Sequence, residues 1–262
     1  IAIQSVECLI ANAECKFPKL AKLLKESCYV DDILIGAETP EEAAEMQIAI
    51  DEILSAGSFH CAKWLSNDDR ALIHVPDCDL APKGLPLIFG EKNLNVSPEQ
   101  ITTALGMAWN SQNDMYMFKG IDNIATPAPV ETFRTLLSRT ARVYDPLGLA
   151  GPFVVVAKLL IQKCWQLKLD WDQELPETVL TPWLKWCTEA CFLADFEIPR
   201  CIIVPNSKTE IHAFSDASAI ACTTCCYMRC IDSIGRIRVN LIVAKTRINP
   251  TKVTTIPRLE LL

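Results

Sequence analysis

Ser27-Cys28-Tyr29-Val30-Asp31-Asp32-Ile33-Leu34-Ile35-Gly36 sets two adjacent carboxylates, Asp31 and Asp32, inside an apolar run. Strict alternation along a strand throws neighbouring side chains to opposite faces, so a vicinal pair serves one site only where the backbone turns. The stretch therefore predicts a tight β-hairpin with Asp31 and Asp32 at its tip. Two crowded carboxylates repel one another unless a cation lies between them. Hard oxygen ligands with few other protein atoms suit magnesium carrying a substrate's phosphates. A solvated turn is the alternative reading of Asp-Asp taken alone, because Asp is a common turn residue.

Apolar residues at helical spacing over 13–25 predict a helix leading into the Tyr29 strand. After the hairpin, Thr39-Pro40-Glu41-Glu42 supplies an N-cap, a proline at the first helical position and acids in the first turn; Met46, Ile50, Ile53 and Leu54 form the apolar stripe, and Gly57 ends the helix. Further on, residues 132–144 read as helical, Asp145-Pro146-Leu147-Gly148 breaks the chain, and residues 153–165 form a long apolar helix. Trp165, Trp171, Trp183 and Trp186 are candidate base-stacking platforms, but their helical periodicity beside Leu and Ile favours core packing. Pro199 and Pro205 mark a linker. From Glu210 the pattern becomes strands: Ile211, Ala213 and Ser215 alternate against His212, Phe214 and Asp216, residues 221–229 and 237–244 add two more around a turn at 232–235, and a helix starts near Pro257 with Thr254 or Thr255 as cap.

At 262 residues, half of them apolar, the chain can bury a sizeable core. It lacks an initiator Met and a recognisable secretory signal, which reads as a soluble fragment. The best membrane candidate, residues 148–165, carries Pro152, Lys158 and Lys163 and reads as a buried helix. Thirteen scattered cysteines fit a reduced intracellular setting; Cys222-x-x-Cys225 with Cys226 and Cys230 has no second pair at zinc-ribbon spacing and reads as small apolar strand residues. The net charge of −7 is unevenly spread: −9 over residues 1–120, −2 over 121–200 and +4 over 201–262. Six cations lie between Arg236 and Arg258, either a solvated basic surface or a place to meet phosphates. No Asp-Thr/Ser-Gly turn of an aspartic peptidase occurs, and His60, His74 and His212 lack the context of a hydrolase nucleophile.

Tyr29-Val30-Asp31-Asp32 resembles the catalytic hairpin of reverse transcriptases, and residues 29–43 resemble its version in BEL/Pao-type retrotransposon polyproteins. The same family is matched in order by Lys63-Trp64-Leu65-Ser66-Asn67, Leu105-Gly106-Met107-Ala108-Trp109, Tyr144-Asp145-Pro146-Leu147-Gly148, Leu169-Asp170-Trp171-Asp172, Phe214-Ser215-Asp216-Ala217-Ser218 and Ile256-Pro257-Arg258-Leu259-Glu260-Leu261. The resemblance implies an α+β chain: the end of a polymerase palm with its hairpin and primer grip over 1–120, a mostly helical thumb and connection over 121–205, and the first strands and helix of an RNase H-like α/β domain over 206–262.

Under this resemblance Asp31 and Asp32 are catalytic metal ligands of a polymerase, and Tyr29, Lys63, Leu105 and Gly106 contact nucleotide or primer. Asp216 and Glu260 are metal ligands of a two-metal RNase H site that performs in-line phosphodiester hydrolysis. Taken singly, Asp216 is a strand-end residue and Glu260 a first-turn acid. The implied cofactor is Mg2+, and the implied partners are an RNA/DNA primer-template and the rest of the Pol polyprotein. The implied location is intracellular and cytoplasmic, in a virus-like particle, with a nuclear phase. Ala62 stands where the family usually has a second basic residue. Each site lacks further carboxylates, which the family carries upstream of Tyr29 and downstream of Leu262, so the isolated chain is expected to be inert. A decayed or domesticated remnant acting as a binding module is the alternative.

Overall fold

A computed structural model describes residues 2–29, 32–81, 87–89, 104–118, 121–126, 128–251 and 255–260. Two compact units divide it: Ile1–Leu87 with Lys92–Ala104 and Asn110–Asn113, and Ile88–Glu91 with Leu105–Trp109 and Asp114–Leu262.

In the first unit, α1 (Ala2–Ala13), α2 (Pro18–Ser27) and α3 (Pro40–Ser55) enclose a hairpin of β1 (Cys28–Tyr29) and β2 (Asp32–Ile33). The helix expected over 13–25 begins only at Pro18, as α2: residues 14–17 separate it from α1, and Pro18 at the first helical position disfavours helical backbone at Phe17, which sits at φ −128°, ψ 62°. Ile10, Leu20, Leu24, Ile50, Ile53 and Leu54 are buried together. Each contributes at most about 1.5–3 kcal/mol by leaving water. Thr39 caps α3 as the sequence predicts, its hydroxyl accepting from Glu42 N at 3.1 Å. Gly57 does not supply the left-handed residue that ends this helix. Ser58 does, at φ +60°. Gly57 is small because a Cβ there would overlap the Leu9 side chain.

The second unit holds most of a four-stranded sheet ordered β3 (Leu87–Phe89), β4 (Ala104–Asn110), β5 (Met115–Met117), β6 (Glu197–Pro199). Its helices are α4 (Asp122–Ala125), α5 (Phe133–Thr140), α6 (Gly151–Gln166) and α7 (Glu177–Glu189). The sequence missed β6; Pro199 pairs with Met115 at the sheet edge, and the linker begins only after it. Phe133, Leu136, Ala157, Cys164, Val179, Trp183 and Trp186 form the helical core. The four-tryptophan expectation splits: Trp183 and Trp186 are buried, whereas Trp165 and Trp171 remain 56% and 41% exposed around Phe133.

Two polar features hold this core in register. Glu131 accepts from Ala128 N (2.8 Å), Arg139 Nη1 (2.9 Å), Thr135 Oγ1 (2.9 Å) and Trp183 Nε1 (3.0 Å). Four donors therefore meet the four acceptor positions of one carboxylate. In α7, Pro182 lacks the N–H that would bond Thr178 O. Lys163 Nζ donates to that carbonyl at 2.8 Å instead, so the proline helps to tie α7 to α6.

The chain then forms an antiparallel meander of β7 (Lys208–Ala217), β8 (Ala221–Ile231) and β9 (Ile237–Ile248), followed by α8 (Ile256–Leu259). The turn between β8 and β9 falls where the sequence places it, with Asp232 accepting from Ile234 N, Arg236 N and the Arg236 guanidinium. On the outer side of β9, Ala244 N donates to Leu147 O at 2.7 Å. Gly148 takes φ +72° beside this contact, and a Cβ there would overlap the Ala244 carbonyl. Asp145 holds the turn from behind, accepting from Leu149 N and Ala150 N at 2.8 Å each. Burial pushes its carboxyl pKa up, and these backbone donors limit the rise.

Candidate metal and nucleic-acid sites

The hairpin in the first unit pairs Tyr29 with Asp32 and Cys28 with Ile33, leaving residues 30–31 as a two-residue connection. Asp32 is thus the first residue of β2 and not part of the tip. Asp31 lies outside the described residues. Asp32 is half-buried and has a polar partner. Cys28 and Ile33 at the hairpin root, with Phe59, Cys61 and Trp64, pack against the core of α1–α3. That one core carries both the Asp32 strand and the segment of Lys63.

The segment of Lys63 is irregular. Trp64 N donates to Asp79 O at 2.8 Å and Ala81 N to Trp64 O at 2.9 Å, an isolated parallel bridge. Lys63 itself is exposed at φ +61°, a left-handed conformation uncommon for a residue with a side chain. Leu105 and Gly106 lie near the start of β4, which with β5 and the turn at 111–114 makes a strand-turn-strand unit. Gly106 is therefore an interior strand residue. Tyr29 ends β1.

Asp216 and Glu260 belong to the second unit. Cross-strand pairs share a sheet face, so the register Asp216–Thr223–Thr246 places these three residues in one row. Thr223 Oγ1 and Thr246 Oγ1 are 2.5 Å apart. Asp216 is exposed; its carboxylate accepts from Ala217 N at 2.9 Å and meets no cation among the described residues. Glu260 caps the C-terminal end of α8, contrary to the first-turn position expected, because the described helix stops at Leu259. It too is exposed, with no side-chain partner among the described residues. α8 packs against β7, with Leu259 buried. The carriers of the two carboxylates are therefore in contact.

Other acids of the meander differ. Glu210 accepts from Lys208, His212 and Arg229, and those bonds hold its pKa down to about 2. Asp232 is bound to Arg236. Among the described residues, no protein cation pairs with Asp216 or Glu260. A magnesium-like ion keeps several waters and takes one or two carboxylates plus phosphates, a demand this pair of hard oxygen donors fits. Among the described residues no group of three or more His, Cys, Asp or Glu side chains is arranged to hold a metal. Cys222 and Cys225, an odd number apart on β8, point to opposite faces, and the thirteen cysteines form no disulfide. No helix among the described residues is long and apolar enough to cross a membrane.

Residues 132–262, half of the chain, match a family model described as Pao retrotransposon-like RNaseH-like domain. No curated protein matches the chain. The match begins at Thr132, the N-cap of α5, and takes in α5–α8 and β6–β9. It covers Asp216 and Glu260 and leaves Tyr29, Asp31, Asp32, Lys63, Leu105 and Gly106 outside.

Proposed function

The chain belongs to the family of Pao retrotransposon-like RNaseH-like domains, and from that premise we propose that its second unit contributes Asp216 and Glu260 to a divalent-metal site hydrolysing the phosphodiester backbone of RNA in an RNA/DNA duplex. The observation that carries this reading is the placement of two exposed carboxylates, without a cationic partner among the described residues, on the contacting elements β7 and α8. The ion supplies Lewis acidity and an activated water when bound. The protein's part is to hold two hard ligands on a strand end and a helix end. Residues 1–120, with the Tyr29–Asp32 pairing, are the end of a reverse transcriptase palm in the same reading, residues 121–205 its thumb and connection, and the parent a retrotransposon Pol polyprotein working on primer-template. Support for the palm is the two-residue hairpin and the ordered sequence blocks.

The test is cleavage of a labelled RNA/DNA hybrid by the chain joined to its native flanking segments. Asp216→Asn is expected to lower the magnesium-dependent rate by at least about 100-fold, since losing a mere outer-shell partner of a metal site costs 10–100-fold. Residues 1–262 alone should give neither cleavage nor primer extension. Cleavage that survives Asp216→Asn, or magnesium-dependent synthesis by this chain alone, overturns the reading.

A further inference from the structure

We propose that Arg238, Lys245 and Arg247 form a phosphate-contacting strip for single-stranded nucleic acid, on the face of the meander opposite Asp216. Strict alternation would separate even-numbered Arg238 from odd-numbered Lys245 and Arg247. The register shows otherwise. Tyr227 faces Leu241 and Cys226 faces Val243, so Ile242 is an extra residue in a β-bulge that switches the parity of β9. Across the bulge, Arg238 and Asn240 before it and Val243, Lys245 and Arg247 after it share one face with Ile211, Ser215, Met228 and Thr224.

The bulge also sorts the charges. Both acids of the three strands, Glu210 and Asp216, lie on the other face, where Lys208 and Arg229 pair with Glu210. Arg238, Lys245 and Arg247 are exposed and make no ion pair among the described residues. A chain of net charge −7 thus presents one strand face with cations alone. Lys245 and Arg247 stand about 7 Å apart, and the strip runs roughly 30 Å along β9 at 3.3–3.4 Å per residue. Between its cations lie the exposed Val243 and Asn240, whose amide donates to Ile202 O at 3.4 Å. An unpaired strand offers its phosphates to Arg238, Lys245 and Arg247, the sequence-tolerant contact of a groove that tracks the backbone. Since Asp216 is on the far face, this strip holds a strand without presenting it to that carboxylate.

The choice of nucleic acid as occupant rests on the function proposed above, but the test does not require the metal site. Binding of the full chain to a labelled single-stranded RNA of about 20 nucleotides is measured by fluorescence anisotropy in EDTA across a salt series. Three phosphate contacts on a single strand predict a log–log salt slope of about −2. The variant Arg238→Gln/Lys245→Gln/Arg247→Gln should flatten that slope and weaken binding at least about tenfold near 0.1 M salt. Arg236→Gln, which alters a cation already paired with Asp232, should leave both unchanged. If the triple variant loses its fold by circular dichroism, the three single variants each carry the same test, with a slope change of about 0.7. Unchanged slope and affinity in the folded variants overturn the proposal, as does equal competition by polyglutamate or by anionic phospholipid vesicles. Loss of metal-dependent cleavage with this binding intact counts against the catalytic reading alone.

Discussion

Replacing Glu131 with Ala is expected to destabilise the second unit by about 3–5 kcal/mol, the usual cost of breaking a buried ion pair from one side. The Glu131 side chain is 4% exposed and that of Arg139 10%. The substitution strands a buried guanidinium and at the same time orphans Trp183 Nε1 and the Ala128 amide. Trp183 is fully buried and stacks on Trp186, so a shift there propagates through the centre of the helical core. Urea denaturation followed by tryptophan fluorescence measures the effect; a loss under about 1 kcal/mol contradicts this role, since that is the range of exposed pairs. The wild type carries a matching pH dependence. Burial pushes the Glu131 pKa up, but the donors Ala128, Trp183 and Thr135 and the charge of Arg139 outweigh it and hold the carboxyl below its usual value. A folded pKa depressed in this way stabilises the protein above the unfolded-chain value and loses that contribution as pH falls through the folded one. Glu131→Gln should flatten this acid limb.

Gly148→Ala is the second large effect, expected near 3 kcal/mol. About 1–2 kcal/mol comes from the left-handed conformation that a side chain disfavours, and the remainder from overpacking. The added Cβ would overlap the Ala244 carbonyl, so either the turn at 145–148 or β9 must move. Moving either breaks the bond from Ala244 N to Leu147 O that covers β9 as a sheet edge. Amide exchange at Ala244 should therefore accelerate more than at Met228 or Tyr227 in the middle strand. Protection at Ala244 equal to that of wild type would show that the turn does not brace the edge.

Local chemistry was readable wherever a single residue type has one physical use. Thr39 before Pro40 foretold an N-cap, Asp232 before Gly235 a turn, and the alternation from Ile211 to Asp216 a strand. Legibility failed where a partner far along the chain decides the outcome. The chain leaves α1 at Ala13 and re-enters a helix only at Pro18, but helical periodicity runs through the break. Glu131 resembles a surface acid until Arg139 and Trp183 close on it. Trp165 on α6 and Trp183 on α7 both read as core residues, yet only the tryptophans of α7 are turned inward. Of the candidate sites, Asp216 on a strand end and a helix following the meander were foreseen. The position of Glu260 after the described helix, and the bulge at Ile242 that gathers three cations on one face, depend on register, which no single strand specifies.

The most direct measurement is a manganese titration of the chain followed by residue-resolved NMR, with magnesium as competitor. The proposed site predicts saturable paramagnetic broadening centred on Asp216, Ala217 and Glu260, displaced by magnesium and abolished by Asp216→Asn. Broadening that spares these residues, or that persists unchanged in the variant, would contradict the assignment of Asp216 and Glu260 as the ligands of a divalent-metal site.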